Sequence, residues 1–176
     1  KWELHEKNYG YALTLALKGK AYPTALRIIS EGGLSVLYKH SPQELRQILR
    51  NATPVERARN FNACALILLA INLIASQQDA REERDILMIN LPADWEPSSE
   101  ENARFLFLEA LDSLPDSGMV EADLRKLLSF CKENEVKLPR DYFQGIFRGV
   151  VGQLGFYYRR SGTLLENVHT LQSIYD

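Results

Sequence analysis

The side chains best equipped for chemistry in this chain are few and scattered. There are three histidines, His5, His40 and His169, and two cysteines, Cys64 and Cys131. A zinc site draws its ligands from His and Cys at short, repeated spacings. The sequence contains no HExxH and no paired-cysteine spacing, so it gives no metal ligand set, and no cofactor is expected. A nucleophilic cysteine needs a histidine beside it, and nothing in the sequence places one near either thiol. Each cysteine lies in an apolar helical pattern and is expected to be a buried, reduced thiol that packs as a small hydrophobe. The adjacent carboxylates Glu82-Glu83 and Glu100-Glu101 read most simply as solvated helix faces. The glycines between 145 and 155 lie in a helical pattern without the Lys-Ser/Thr ending of a phosphate loop, and there is no GxSxG elbow. An enzyme with this sequence would have to assemble its site from residues far apart in the chain; a non-enzymatic role is the expectation.

Composition narrows the class further. The chain has 176 residues, 45% apolar and 10% aromatic, as a packed globule requires. Lys and Arg total 21 and Asp and Glu 23, for a net charge of −2. That is too near neutral to imply a nucleic-acid or membrane partner from bulk electrostatics. The longest apolar run, FNACALILLAINLIA from Phe61 to Ala75, is interrupted by Asn62 and Asn72 and falls short of the roughly 20 residues of a bilayer span. It reads as a buried helix. Two cysteines in a chain of this length do not form a disulfide framework, which favours a reducing, intracellular (cytoplasmic) setting. The first residue is Lys1, so the chain reads as a fragment of a larger protein.

The elements that must position these residues are helical almost throughout. Apolar residues at helical spacing predict helices over Tyr11 to Gly19 and Pro23 to Glu31, with Gly32-Gly33 stopping the second. Ser41-Pro42-Gln43-Glu44 and Thr53-Pro54-Val55-Glu56 are two capping boxes, each with a hydroxyl at the N-cap, proline at N1 and glutamate at N3. The first opens a short helix to about Arg50, the second a long one to about Gln77, with a continuation into DAREERD as the alternative. LPADWEP, 91–97, reads as a loop. Ser98-Ser99-Glu100-Glu101 starts a further helix that ends before Pro115, and Met119 to Asn134 is amphipathic, with Leu124, Leu127, Leu128 and Cys131 on one side. Pro139 opens the next helix, and Thr163 to Tyr175 a last one. Alternation occurs only at Leu34 to Tyr38 and Phe156 to Arg160, too briefly for a sheet. The expectation is an all-α, compact multi-helix domain of about eight helices spanning 1–176, with a possible subdivision into 1–90 and 98–176 around LPADWEP.

Residues 11–33, YALTLALKGKAYPTALRIISEGG, resemble an ankyrin repeat. Leu13, Leu15 and Ala16 fall on the first-helix positions of that family, Ile28 and Ile29 on its paired leucines, and Gly32 on its terminal glycine. Tyr11 and Ala12 stand in place of Thr-Pro, Thr14 in place of His and Lys20 in place of Gly, and no second copy follows. The resemblance implies an N-terminal ankyrin-like helical hairpin with a surface for binding proteins. The plainer alternative is an antiparallel helix hairpin ended by glycine. Lys18, Lys20 and Tyr22 are the expected contact residues there. Trp95 in LPADWEP is another, because loop aromatics are frequent interface anchors; its alternative is to fold back over the core edge.

A second pattern covers 119–162 and looks like a winged helix-turn-helix, with GFYYRRSG as the wing. Between Lys137 and Arg160 the basic residues Lys137, Arg140, Arg148, Arg159 and Arg160 face Asp141 alone, a local +4. Phosphate neutralisation would use Arg140, Arg148, Arg159 and Arg160; the alternative is a solvated basic face. Gly145, Gly149 and Gly152 share one side of a helix, which predicts a close helix crossing or, alternatively, a groove for a ligand or a partner backbone. The leading expectation is thus a helical protein–protein interaction module within a larger protein. A nucleic-acid-binding domain is second and an enzyme with an assembled site third.

Overall fold

Capping side chains decide where most of the helices begin. The computed structural model describes residues 8–112 and 117–137, and its helices are α1 (Tyr9–Lys18), α2 (Tyr22–Gly32), a 3-10 turn (Leu34–Val36), α3 (Pro42–Asn51), α4 (Pro54–Arg59), α5 (Phe61–Ile74), α6 (Gln77–Ile89), α7 (Ser99–Asp112) and α8 (Ser117–Glu133). Among the described residues there is no strand, and the chain is all-α as expected. Both expected capping boxes form. Ser41 Oγ accepts from the Glu44 N–H at 3.3 Å while Glu44 Oε2 accepts from the Ser41 N–H at 2.8 Å. Thr53 and Glu56 repeat this at 3.3 and 2.8 Å. Ser98 and Glu101 make a third box, again at 3.3 and 2.8 Å.

The long helix expected from Thr53 to about Gln77 is instead two, α4 and α5, and DAREERD belongs to a third, α6. Asn60 breaks it first: its backbone leaves helical geometry at φ −121, ψ 36, and its side chain donates to the Glu56 carbonyl at 2.9 Å. A short polar side chain thereby satisfies a backbone group that a continuing helix would use. The second break is at Ala75-Ser76. Ser76 is extended, and its hydroxyl accepts from the Asp79 N–H at 3.0 Å to cap α6. The alternating stretch at Leu34 to Tyr38 begins as the 3-10 turn, with Leu34, Val36 and Leu37 buried.

The chain divides into two compact units, Lys1–Glu96 and Pro97–Asp176, and the division falls inside loop 91–97. In the first unit α5 is the centre. Phe61 and every residue of 63–71 are buried, and α2, α3, α4, α6 and the 3-10 turn all pack on it. α1 pairs with α2 across a three-residue reversal. In the second unit α7 and α8 pack on each other, burying Ala103, Phe107, Leu108, Leu127 and Cys131. No helix among the described residues is long and apolar enough to cross a membrane. The glycines at 145, 149 and 152 and the wing-like segment lie outside the described residues.

Two helix ends close by the same device. After α1, the Ala21 N–H donates to the Ala16 carbonyl at 2.8 Å and the Lys20 N–H to the Leu17 carbonyl at 3.0 Å. This is a Schellman closure, and it puts Lys20 in the left-handed region at φ 52. α8 ends likewise, with Glu135 at φ 53 and the Val136 N–H on the Cys131 carbonyl at 2.9 Å. α2 stops at Gly33, whose φ of 70 and ψ of −167 form a combination essentially confined to glycine.

Glycines 10 and 32 predict opposite outcomes. A Cβ on Gly32 would lie 2.8 Å from both Tyr9 Cβ and Val36 Cγ1, where α1, α2 and the 3-10 turn meet. A Cβ on Gly10 meets nothing within 4 Å. In urea denaturation, Gly32→Ala is expected to destabilise by about 1–3 kcal/mol through overpacking. Gly10→Ala is expected to stabilise by about 0.5–1 kcal/mol through reduced chain entropy. Ser41→Ala and Thr53→Ala should each cost about 1 kcal/mol by the same measurement.

Candidate interaction surface

α1 commits one side to the core and leaves the other open. Ala12, Leu13 and Ala16 are buried, whereas Tyr11 is 52% and Leu15 46% exposed. Positions 11, 15 and 18 follow one another at intervals of four and three, so Tyr11, Leu15 and exposed Lys18 form one ridge. The chain then reverses through Gly19, Lys20 and Ala21, with Lys20 exposed and Tyr22 half-buried at the start of α2. The expected contacts Lys18, Lys20 and Tyr22 thus surround the reversal at the end of that ridge. Tyr11 and Leu15 were not among the expected contacts, because an apolar helix start reads as core. Their four-residue separation, offset from that of Leu13 and Ala16, is the signal that distinguishes them.

Trp95 folds back onto the core edge. Its ring centroid lies 4.9 Å from that of fully buried Phe61, with an interplanar angle of 33°. The residue is half-buried. Ile86 and Ile89 on α6 form a second exposed apolar pair. Arg140, Arg148, Arg159 and Arg160 lie outside the described residues.

The polar side chains of the first unit hold helices together. Glu83, expected on a solvated face beside Glu82, is 2% exposed and lies between α6 and α3. Arg50 meets it with both arms of its guanidinium, Nη2 on Oε1 and Nε on Oε2 at 3.1 Å. Arg46 pairs with Asp79 through Nη2, and its Nε stands 3.5 Å from Glu83 Oε1, an ion-pair distance without hydrogen-bond geometry. A fork-to-fork arginine–carboxylate pair fixes orientation as well as charge. Buried Arg57 donates to the carbonyls of Leu49 and Asn90, each at 3.2 Å. It therefore places its charge at the C-terminal ends of α3 and α6, where the helix dipole favours a cation. In the second unit Lys126 and Glu109 join α8 to α7 at 3.5 Å.

The candidate chemical groups Cys64, Cys131 and His40 are buried. Cys64 and Cys131 are buried free thiols. Burial pushes the Cys64 thiol up to about 12, so it is not a thiolate at neutral pH, and raises that of Cys131 as well. His40 is buried with Nε2 unpartnered, and its Nδ1 lies 3.9 Å from Glu44 Oε2. Among the described residues no group of three or more His, Cys, Asp or Glu side chains is placed to hold a metal ion. Comparison with family models, with curated proteins and with solved structures returns no match for this chain.

The α3–α6 ion pairs predict an asymmetry. Arg46 and Arg50 are 28% and 55% exposed, so both can turn to water if Glu83 is neutralised. Glu83→Gln should therefore cost about 1–2 kcal/mol. The double change Arg46→Ala with Arg50→Ala strands a buried carboxylate and should cost about 3 kcal/mol or more. Urea midpoints decide this, and equal losses would contradict the arrangement described.

Acid should weaken the fold in two steps. Burial lowers the His40 pKa below its ordinary 6.5, with Glu44 pulling partly the other way. The folded state then binds fewer protons there than the unfolded chain, so stability is complete above 6.5 and falls as pH drops below it. Glu44 is held below its ordinary 4.5 by the Ser41 N–H and hydroxyl, and Asp79 below its ordinary 3.8 by the Ser76 hydroxyl and Arg46. Their contributions are lost as pH falls through the carboxylate range. Melting temperatures between pH 7 and 5 should decline in the unmodified protein and stay nearly level in His40→Leu. A variant that declines equally would remove His40 from the explanation.

Proposed function

We propose that this chain is a helical protein–protein interaction module that receives its partner on the α1 ridge and the reversal after it. The observation that carries this reading is the pairing of Tyr11 and Leu15. Two large apolar side chains stand exposed one turn apart, on a helix whose other side is committed to the core. Solvated apolar side chains set side by side favour burial by a partner, and aromatic residues at the centre of such a patch carry much of the binding energy. Lys18, Lys20 and Tyr22 border the pair, and half-buried Trp95 is a further contact candidate. The resemblance of 11–33 to an ankyrin unit, with its protein-binding surface, agrees with this reading. So does the commitment of the first unit's buried charges to joining helices.

Photo-crosslinking tests the proposal. A benzoylphenylalanine replaces residue 11, 15, 43, 78 or 89 in the chain expressed in its own cells. The expected result is a protein adduct from positions 11 and 15, not from exposed Gln43 and Gln78, with yield falling about tenfold when the neighbouring apolar residue is changed to serine. Adducts from position 89 in place of 11 and 15 would move the interface to α6. Equal adducts from all positions would contradict a defined surface.

A further inference from the structure

We infer that the partner of the α1 ridge is an acidic amphipathic segment. Its apolar side chains seat against Tyr11 and Leu15, and its carboxylates meet Lys18 and Lys20. The inference rests on the reading of α1 as an interaction surface and adds the chemistry of what it receives.

Charge carries the argument. From residue 8 to residue 30 the chain has three basic residues, Lys18, Lys20 and Arg27, and no acidic one, in a protein of net charge −2. Lys18, Lys20 and Arg27 are exposed. No described carboxylate pairs with Lys18 or Lys20. In the same unit Asp79 and Glu83 of α6 meet Arg46 and Arg50 of α3. The lysines at the reversal have no such counterpart among the described residues, and they lie at the end of the apolar ridge. Oppositely charged side chains on a partner would orient it along the ridge and speed its approach, while the apolar contacts would supply most of the affinity.

Lys20 adds a second observation. Its left-handed conformation costs a side-chain-bearing residue roughly 1 kcal/mol relative to glycine. Its exposed ammonium pairs with no described carboxylate. A cation is thus held at a position where glycine would be more stable, two residues beyond Lys18 in the reversal that follows the ridge.

The test uses a phage-displayed pool of random 14-residue peptides selected on the immobilised full chain. The expected pool is rich in Asp and Glu, with apolar residues one helical turn apart. Its members should bind at least tenfold more weakly to Lys18→Glu/Lys20→Glu and to Leu15→Ser, and repeating the selection on the charge-reversed variant should remove the acidic excess. A pool without acidic excess whose binding Leu15→Ser still abolishes would overturn the acidic partner while leaving the interaction surface standing. Peptides indifferent to both Tyr11→Ser and Leu15→Ser would overturn the surface and the partner together. A selection that yields no binding peptide overturns the inference. So does equal displacement of the selected peptides by a 20-base-pair DNA duplex or by phosphatidylserine vesicles, which would show attraction to any polyanion. Circular dichroism of each variant establishes that it remains folded.

Discussion

A helix that is apolar on every side must be enclosed on every side, and α5 imposes that requirement on the first unit. Each fully buried leucine or isoleucine contributes about 1.5–3 kcal/mol relative to exposure, and the consecutive burial of 63–71 concentrates this gain in one helix. The neighbours are arranged accordingly. α2, α3, α6 and the 3-10 turn each bury apolar side chains where they pack on α5, short α4 packs there with buried Arg57, and α1 pairs with α2. Asn60 and Ser76 follow from the same demand: the chain must leave the centre at both ends of α5 for polar segments to reach the surface.

Enclosure alone leaves the surrounding helices free to slide over a smooth apolar rod. Directional polar contacts at the rim remove that freedom. Arg50 and Arg46 fix α3 against α6 through Glu83 and Asp79, and Arg57 ties the C-terminal carbonyls of both helices. These contacts give little net stability once desolvation is counted. Their effect is orientation, and breaking them unevenly is costly because a buried charge is left behind. Among the described residues no such polar contact engages the outer side of α1, where Tyr11 and Leu15 are exposed.

Much of this was legible locally. The Ser41 and Thr53 boxes depend on residues three apart, and the burial of α5 follows from an apolar run too short for a bilayer. The failures all involve the third dimension. Asn60 sits in a pattern that continues the helical period, and only its non-helical backbone and its side-chain bond to the Glu56 carbonyl reveal the break, whereas the end of α5 lies within a few residues of the expected one. Glu83 reads as solvated beside Glu82 because its hydrogen-bond partner Arg50 comes 33 residues earlier. A signal was nevertheless present: Arg46 and Arg50 are four apart, as are Asp79 and Glu83, so two helices facing each other can match both pairs at once. At the candidate surface, Lys18 and Lys20 were legible as exposed cations, while Tyr11 and Leu15 resembled core because YALTLAL is apolar on several sides.

The dependence of the first unit on α5 is open to direct measurement by native-state hydrogen exchange. The amides of residues 65–71 should exchange only through complete unfolding of this unit, with a free energy equal to that from urea denaturation, and those of α1 should open at lower cost. Exchange of 65–71 at a lower free energy than the amides of α3 or α6 would mean that the centre opens while its enclosure stands, and would contradict the account.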